Sequence, residues 1–209
     1  MAIFHWSMKI VRRSMGKSAV AAAAYRSRTK LVNEWDGVAH DYTAKQNVAH
    51  SEIMLPSHAP PDFQDRSILW NSVEKIEKSK DSQLARDLKI SLPIELSKNE
   101  QIELARAYIR DTFVSAGMCA DFSFRDKEGN PHIHILLTVR PLKENGEWDA
   151  KCRKVYDLDD HGQRIPEGKG GWKNHREDMV DWNSREKVEA WRAAWAEYAN
   201  RALEAAGKP

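Results

Sequence analysis

The chain has 209 residues, of which 41% are hydrophobic and 31% are charged, and it contains two cysteines. This length and composition predict one globular domain with a hydrophobic core. Cys119 and Cys152 lack metal-type spacing and are too few for a disulfide scaffold, which favours a reduced, cytoplasmic protein. No apolar run approaches the roughly 18 residues that span a membrane, and no signal peptide precedes the first predicted strand, so we expect no membrane insertion.

Hydrophobic patterning predicts alternating strands and helices in chain order. Strands are predicted at 2–11, 50–55, 84–92 and 119–125 and from His132 on, and helices at 18–30, 62–78, 97–117 and from Asn183 on. Residues 31–50 and 143–175 show little periodicity and are predicted as loops, the second with one short strand near Val155. A turn at 126–131 makes the last two strands an antiparallel hairpin. This order predicts an α+β fold with a mostly antiparallel central sheet and helices packed mainly on one face.

Capping signals indicate where three of these helices begin. Ser18 is a candidate N-cap, and Ser97 with Glu100 forms a capping box. Asn183, with Glu186 at the third helical position, is predicted to cap the last helix. That helix has an apolar stripe at helical spacing, which predicts a buried face: Val188, Trp191, Trp195, Tyr198 and Leu203.

The net charge is only +2, but it is distributed unevenly. Residues 1–33 contain no acidic residue and seven basic ones: Lys9, Arg12, Arg13, Lys17, Arg26, Arg28 and Lys30. The rest of the chain has more acidic than basic residues. A solvated helix face would intersperse acids with bases, so this pattern favours binding of a polyanion.

His132 and His134 alternate along a predicted strand, so their side chains point to one face of the sheet. Two imidazoles about 7 Å apart on one strand can converge on a cation or a phosphate. The alternative is that they lie on a solvated face without a ligand. The same face is expected to carry Asp87. Tyr25, judged from its own position alone, is best explained as a partly buried aromatic residue at a helix end.

Five stretches in the same order resemble the MobA/MobL family of plasmid conjugative relaxases, members of the HUH endonuclease group. They are Ala2-Ile3-Phe4-His5; Ser18 through the alanines to Tyr25-Arg26; Leu92-Pro93-Ile94-Glu95-Leu96; Gly129-Asn130-Pro131-His132-Ile133-His134; and Trp191-Arg192-Ala193-Ala194-Trp195-Ala196 with Asn200-Arg201-Ala202-Leu203. The resemblance extends from residue 2 to about residue 207, which is nearly the whole chain.

The resemblance implies a palm-like sheet and a reaction on DNA. In this family a tyrosine attacks one phosphodiester at the nick site of a transfer origin, remains joined to the 5′ phosphate and leaves a free 3′ hydroxyl. Tyr25 occupies the position of that tyrosine, and the retained phosphoryl bond would allow resealing. Residues 1–209 would form a single relaxase domain, the N-terminal part of a longer protein. The implied partners are single-stranded DNA at a plasmid transfer origin, accessory relaxosome proteins and a type IV secretion coupling protein.

Two positions depart from the family pattern. Many members have a third histidine where this chain has Arg125, which the hairpin places opposite His132. Arginine cannot ligate a cation, so the implied divalent metal (Mn²⁺ or Mg²⁺, with Zn²⁺ as a further candidate) at His132 and His134 is left open. The family also often has two carboxylates where this chain has Asp87 and Lys89. Asp87 is then the candidate base or metal ligand, and Arg125 and Lys89 are candidates to bind the scissile phosphate directly.

The predicted DNA-binding residues are Lys9, Arg12, Arg13, Lys17, Arg26, Arg28 and Lys89. Two other functions stay open. A non-catalytic single-stranded DNA-binding protein would also use the basic segment and the tryptophans. A metal-dependent nucleotide phosphohydrolase would use the histidines, form no covalent adduct and not need Tyr25.

Overall fold

The computed structural model describes residues 5–208 apart from Gln46 and Lys169. The helices of this part are α1 (Ala19–Ser27), α2 (Arg66–Ile76), α3 (Lys98–Ile109), which continues as a π-helical turn (Arg110–Val114), and α4 (Arg185–Ala205). Its strands are β1 (Trp6–Arg12), β2 (Lys30–Val32), β3 (Ala39–Asp41), β4 (His50–Met54), β5 (Gln83–Ser91), β6 (Ala120–Arg125), β7 (His132–Leu137), β8 (Cys152–Tyr156), β9 (Pro166–Glu167), β10 (Gly171–Trp172) and β11 (Asn174–Asp178). The start of the first predicted strand, Ala2 to Phe4, lies outside the described residues.

A five-stranded sheet forms the centre of the described part, in the order β1-β5-β7-β6-β4, and each neighbouring pair is antiparallel. This confirms the predicted α+β fold with an antiparallel central sheet. Arg125 lies opposite His132 across the β6–β7 hairpin, and Lys89 of β5 lies opposite His134. Because directly opposed residues of an antiparallel pair share a face, these four side chains lie on one face. Asp87, two residues from Lys89, lies on the same face.

The first face of the sheet is covered by α3 and α4. The apolar side chains that alternate along the central strands pack there against the buried aromatic residues of the two helices. Tyr108 of α3 is fully buried among them, and its hydroxyl donates to the Trp191 carbonyl oxygen of α4 at 2.8 Å. The predicted stripe of α4, which includes Trp191 and Trp195, is therefore confirmed as core.

The second face is covered at one end by α1 and α2. Leu136, Ala85 and Ile53 pack there with the alanines of α1 and with Trp70 of α2. The helices therefore divide between both faces, which differs from the expectation of helices mainly on one face. The part of this face that contains Ala85, Leu136 and Ile53 is apolar and packs against α1 and α2. The part that contains His132 and His134 remains polar.

Buried polar contacts fix α2 and, through it, the start of α1. The Asp121 carboxylate of β6, 2% exposed, accepts hydrogen bonds from Arg66 Nε at 2.7 Å and from the Trp70 indole at 2.9 Å. Glu74 of α2 accepts from the backbone nitrogen of Ala19 at 2.7 Å, at the N-terminus of α1. Since an unpaired buried carboxylate is costly, these bonds hold the two helices in register with the sheet.

Several local predictions are corrected by the structure. The first helix ends at Ser27 rather than Lys30, and the predicted helix at 62–78 is a 3₁₀ turn followed by α2. Residues 30–41 form a β2–β3 hairpin. The short strand predicted near Val155 is confirmed as β8, but the segment predicted as loop around it also contains β9, β10 and the start of β11, which form the pairs β8–β11 and β9–β10. Ser184, not Asn183, caps α4, because the Asn183 amide oxygen instead accepts a hydrogen bond from Arg86. Among the described residues no helix is both long and apolar enough to cross a membrane.

Candidate active site

Tyr25 lies in the last turn of α1, where the helix ends abruptly. Ser18 caps the other end as predicted, since its hydroxyl accepts from the Ala21 nitrogen. Arg28 follows the helix with a φ of 58°, a left-handed conformation that residues other than glycine and asparagine rarely adopt. This turn brings the Arg28 guanidinium to 4.4 Å from the centre of the Tyr25 ring. The ring is 37% exposed, which leaves it accessible to a substrate.

Cationic side chains lower the pKa of the Tyr25 phenol below its ordinary value. The Arg28 guanidinium contributes most, and partial burial opposes it. The charges of Arg28, Lys45 and Arg26 lower the pKa further, because a positive charge favours the phenolate. A phenol with a lowered pKa is a better nucleophile near neutral pH.

The segment after β3 folds back over Tyr25. The Tyr42 ring packs edge-on against the Tyr25 ring at 5.2 Å between centroids, and Lys45 Nζ lies 5.4 Å from the Tyr25 centroid. Sequence reasoning missed Lys45 and Asn47, because a polar, aperiodic segment carries no signal of where it folds. Lys127 was also missed as a site residue, although its place in the turn next to the histidine strand could have indicated it.

His132 and His134 are brought together as predicted, with their ring centres 5.3 Å apart. His132 Nδ1 lies 2.9 Å from the Asn130 carbonyl oxygen; a donating Nδ1–H there leaves the Nε2 lone pair free. Burial lowers the pKa of His132, and burial together with Arg26 and other cations lowers the pKa of His134 to about 2. Both imidazoles are therefore neutral at pH 7.

Arg125 lies opposite His132 as expected but extends toward the end of α1. It is 4% exposed, and its Nη2 donates to the Arg26 carbonyl oxygen at 2.6 Å and to the Tyr25 carbonyl oxygen at 3.3 Å. Its Nη1 donates to the Asn47 amide at 3.2 Å. Burial lowers the pKa of Arg125 to about 10, so the guanidinium stays charged at pH 7. A cation at a helix C-terminus is stabilising, and this one fixes the turn that carries Tyr25.

Asp87 is paired with Arg26 by two hydrogen bonds, one of 2.9 Å from Arg26 Nε. Asp87, the predicted base, is therefore paired with a cation. Arg26, which was predicted to bind DNA, is paired with this carboxylate. Arg13 is likewise held internally, because its Nη2 donates to Glu74 Oε2 at 2.7 Å. Lys9, Arg12 and Lys17 are exposed, so they remain available to a DNA backbone.

The histidine cavity is the space in front of His132 and His134, with a volume of about 350 Å³. Its lining residues include the nucleophile candidate and several cations: Tyr25, Arg28, Lys89, Arg125, Lys127, His132 and His134. Arg26 lines the cavity as well, so five positive side chains and the neutral imidazoles face one carboxylate, Asp126. A concave site with this excess of positive charge suits a phosphate group.

The MobA/MobL family profile matches residues 17–209, which is most of the chain. This chain belongs to the MobA/MobL family. The conjugal transfer protein TraA of Agrobacterium fabrum is 42% identical to it over 175 residues, covering 79% of this chain and 16% of TraA. The mobilization protein MobL of Acidithiobacillus ferridurans is 35% identical over 230 residues, covering 98% of this chain and 55% of MobL. The MobA/MobL chain described here thus spans only part of these relatives' length.

A solved structure has the same fold as this MobA/MobL chain. It is described as "Molecular Basis of Vancomycin Resistance Transfer in Staphylococcus aureus", and the two chains superpose with a TM-score of 0.83 at 33% identity. The match covers 99% of this chain and 95% of the other. The sequence-based prediction of the family and of its fold is confirmed.

The MobA/MobL family generally uses a divalent metal. Here His132 and His134 offer two nitrogen ligands, but Arg125 stands at the third position. In the part of the chain that the structure describes, no three histidine, cysteine, aspartate or glutamate side chains lie close enough to share an ion. Lys89 and Lys127 add positive charge around the pair. The residues present do not fit a three-ligand metal site.

Proposed function

We propose that this chain nicks and rejoins single-stranded DNA at a plasmid transfer origin, with Tyr25 as the nucleophile. One observation carries the proposal: an exposed tyrosine with a lowered phenol pKa lines a cavity that is also lined with cations and is large enough for a phosphodiester group. Membership of the MobA/MobL family supports DNA as the substrate class. The conjugal transfer and mobilization proteins among its relatives support the transfer origin as the target.

The reaction is a transesterification at one phosphorus atom. The Tyr25 phenol loses its proton to solvent, and its oxygen attacks the scissile phosphate. The new bond joins the Tyr25 oxygen to phosphorus while the bond from phosphorus to the 3′ oxygen breaks. The 3′ oxygen takes up a proton and becomes a free hydroxyl, and the 5′ phosphate stays on Tyr25. Attack by that hydroxyl on the phosphotyrosine reverses the reaction without an external energy source.

The cations have two roles in this proposal. Arg28 and Lys89 stabilise the additional negative charge on the phosphate oxygens in the transition state, which is where fixed positive charge accelerates phosphoryl transfer most. Arg125 acts through α1: its bonds to the Tyr25 and Arg26 carbonyl oxygens hold the nucleophile in place. Asp87 holds Arg26 rather than serving as the base.

The proposed substrate implies the compartment and the partners of the reaction. Plasmid DNA lies in the cytoplasm, so we place the reaction there. Within the longer protein, accessory relaxosome proteins would expose the single strand, and a type IV secretion coupling protein would receive the DNA-linked product. Lys9, Arg12 and Lys17 would bind the DNA backbone beside the site.

Two tyrosine variants test the proposal. Tyr25→Phe removes the nucleophilic hydroxyl but keeps the ring, so nicking should be abolished while DNA binding changes little. Tyr42→Phe is the matched control, because it removes a hydroxyl from the neighbouring ring and should still nick. Nicked product is measured on denaturing gels and binding by fluorescence anisotropy. Wild-type nicking by Tyr25→Phe would overturn the assignment.

A further inference from the structure

A second and larger cavity lies on the other side of Tyr25. Its volume is about 550 Å³, within the range of small-molecule sites. It is bounded by the end of β1, one side of α1 and the β2–β3 turn, and its lining includes Ile10, Ala21, Tyr25, Trp35, His40 and Asp87. We call it the Trp35 cavity. Nothing in the proposed cleavage step uses it.

Trp35 is the unusual residue of this cavity. Its indole is 49% exposed, although Trp70, Trp182 and Trp191 are buried. The Arg13 guanidinium lies 4.1 Å from the centre of the indole ring, and Arg13 is itself fixed by Glu74. An exposed indole held in a cavity contributes little to the core, but it offers an aromatic surface on which a base can stack.

The turn that carries Trp35 is fixed before any ligand binds. The buried Asn33 side chain accepts from the Trp35 backbone nitrogen at 3.1 Å and donates to the Ser18 hydroxyl at 3.3 Å. The Glu34 nitrogen donates to the Asn71 side chain of α2 at 2.9 Å. These bonds tie the turn to both helices, so binding costs little ordering of the protein.

One polar atom in the cavity wall needs a partner. His40 Nε2 is buried and has no hydrogen-bond partner in the described residues. A buried polar atom without a partner costs free energy, which a ligand's donor or acceptor would remove. The edge of a nucleobase carries such groups, and its faces are apolar like the Ile10 and Ala21 wall.

The position of the cavity limits the nucleotides that it could hold to those near the scissile phosphate. Tyr25 and Arg26 line both cavities, so the two cavities adjoin at these residues. With the scissile phosphate in the histidine cavity, a nucleotide beside it lies at the mouth of the Trp35 cavity. Lys9 and Lys17 line this cavity as well and carry the charge that a DNA backbone needs.

We propose that the Trp35 cavity binds one unstacked base of the single strand within about three nucleotides of the scissile phosphate, a sequence-reading site built on stacking by Trp35 and a hydrogen bond from or to His40. The proposal rests on the DNA-cleaving function above. It gives the nicking reaction a means of choosing its position along the strand.

The test uses Tyr25→Phe protein, which binds without cutting, and single-stranded oligonucleotides tiling the transfer origin. In the tightest-binding oligonucleotide, each nucleotide in turn is replaced by an abasic site, and affinity is measured by fluorescence anisotropy. One abasic position should weaken binding by about fivefold to 150-fold, the range for loss of one stacked base. The same abasic substitution should weaken binding less in proteins that also carry Trp35→Ala or His40→Ala than in the Tyr25→Phe protein alone. In those variants the contact with the base is already lost.

Trp172→Ala is the control, since Trp172 is 45% exposed but lies on the β9–β10 hairpin outside this cavity. It should keep the full abasic penalty. If every abasic penalty is unchanged by both Trp35→Ala and His40→Ala, the base site is wrong, even where the wild type nicks the same DNA. If the penalty couples to Trp35 but the wild type forms no nicked product, the base site stands and the cleavage proposal fails.

Discussion

Replacing Arg125 by histidine separates two possible roles of this position, ligation of a metal ion and support of the end of α1. The change adds an imidazole opposite His132 and so offers the third metal ligand that the family resemblance implies. It also removes the guanidinium that donates to the Tyr25 and Arg26 carbonyl oxygens. We expect a protein that is less stable without metal and that binds divalent metal better than the wild type.

The size of the loss follows from the contacts. Hydrogen bonds to a charged group contribute about 1.5–3 kcal/mol, and burial of the guanidinium, which lowers its pKa to about 10, offsets part of this. A net loss of about 2 kcal/mol in a chain of this size lowers Tm by roughly 4–8 °C. Metal at 100 times its Kd would return about 2.7 kcal/mol to the histidine variant, enough to cancel the loss.

Thermal melting with and without Mn²⁺ or Zn²⁺ measures both effects, and calorimetric titration gives the metal affinity. Arg125→Met is the matched control: it should lose the same stability and recover none of it with metal. Nicking by the wild type should be less sensitive to chelator than nicking by Arg125→His. A wild-type Tm that rises with metal as much as that of Arg125→His, or complete chelator inhibition of the wild type, would show that other residues supply the missing ligand.

Two further predictions concern charge. Arg28→Met removes the largest contribution that lowers the Tyr25 pKa, so the rise of nicking rate with pH should move to higher pH. The maximal rate in alkali should stay below that of the wild type, because the variant also lacks the Arg28 charge that stabilises the transition state. Arg12→Met should keep the wild-type profile, and an unchanged profile in Arg28→Met would refute the role of Arg28. Replacing Lys9, Arg12 and Lys17 by glutamine should flatten the salt dependence of single-stranded DNA binding by about 0.7 in log–log slope for each lost contact, as measured by anisotropy, and an unchanged slope would place the DNA backbone elsewhere.

The central sheet could be predicted from the sequence because its signals are local. Alternation of apolar residues and the turn at 126–131 determine the β6–β7 hairpin, and with it the pairing of Arg125 and His132. The capping residues Ser18 and Ser97 act on their own helices, so those starts were also predictable. Asn183 was a wrong choice because its amide is used by Arg86 from a distant strand, which no local pattern reveals.

The chemistry of the site depended on long-range contacts that the sequence does not encode locally. Arg26 and Arg28 were both predicted to bind DNA. The folded chain instead pairs Arg26 with Asp87 and places the Arg28 guanidinium over the Tyr25 ring. Arg125 was predicted to bind phosphate directly, whereas its bonds to the end of α1 support a positioning role. The Trp35 cavity was missed altogether, because the segment at 31–50 has no periodicity and its turn is fixed by side chains of α1 and α2.

The most direct test of the account is the identity of the residue that becomes attached to DNA. Wild-type protein is incubated with transfer-origin single strand, the products are denatured, and the DNA-linked peptide is sequenced by mass spectrometry. We predict one covalent adduct on Tyr25, a free 3′ hydroxyl on the released strand, and no adduct in Tyr25→Phe. Cleavage without any adduct would instead support a phosphohydrolase, binding without cleavage would support a non-catalytic DNA-binding protein, and an adduct on Tyr42 would contradict the assignment of the nucleophile.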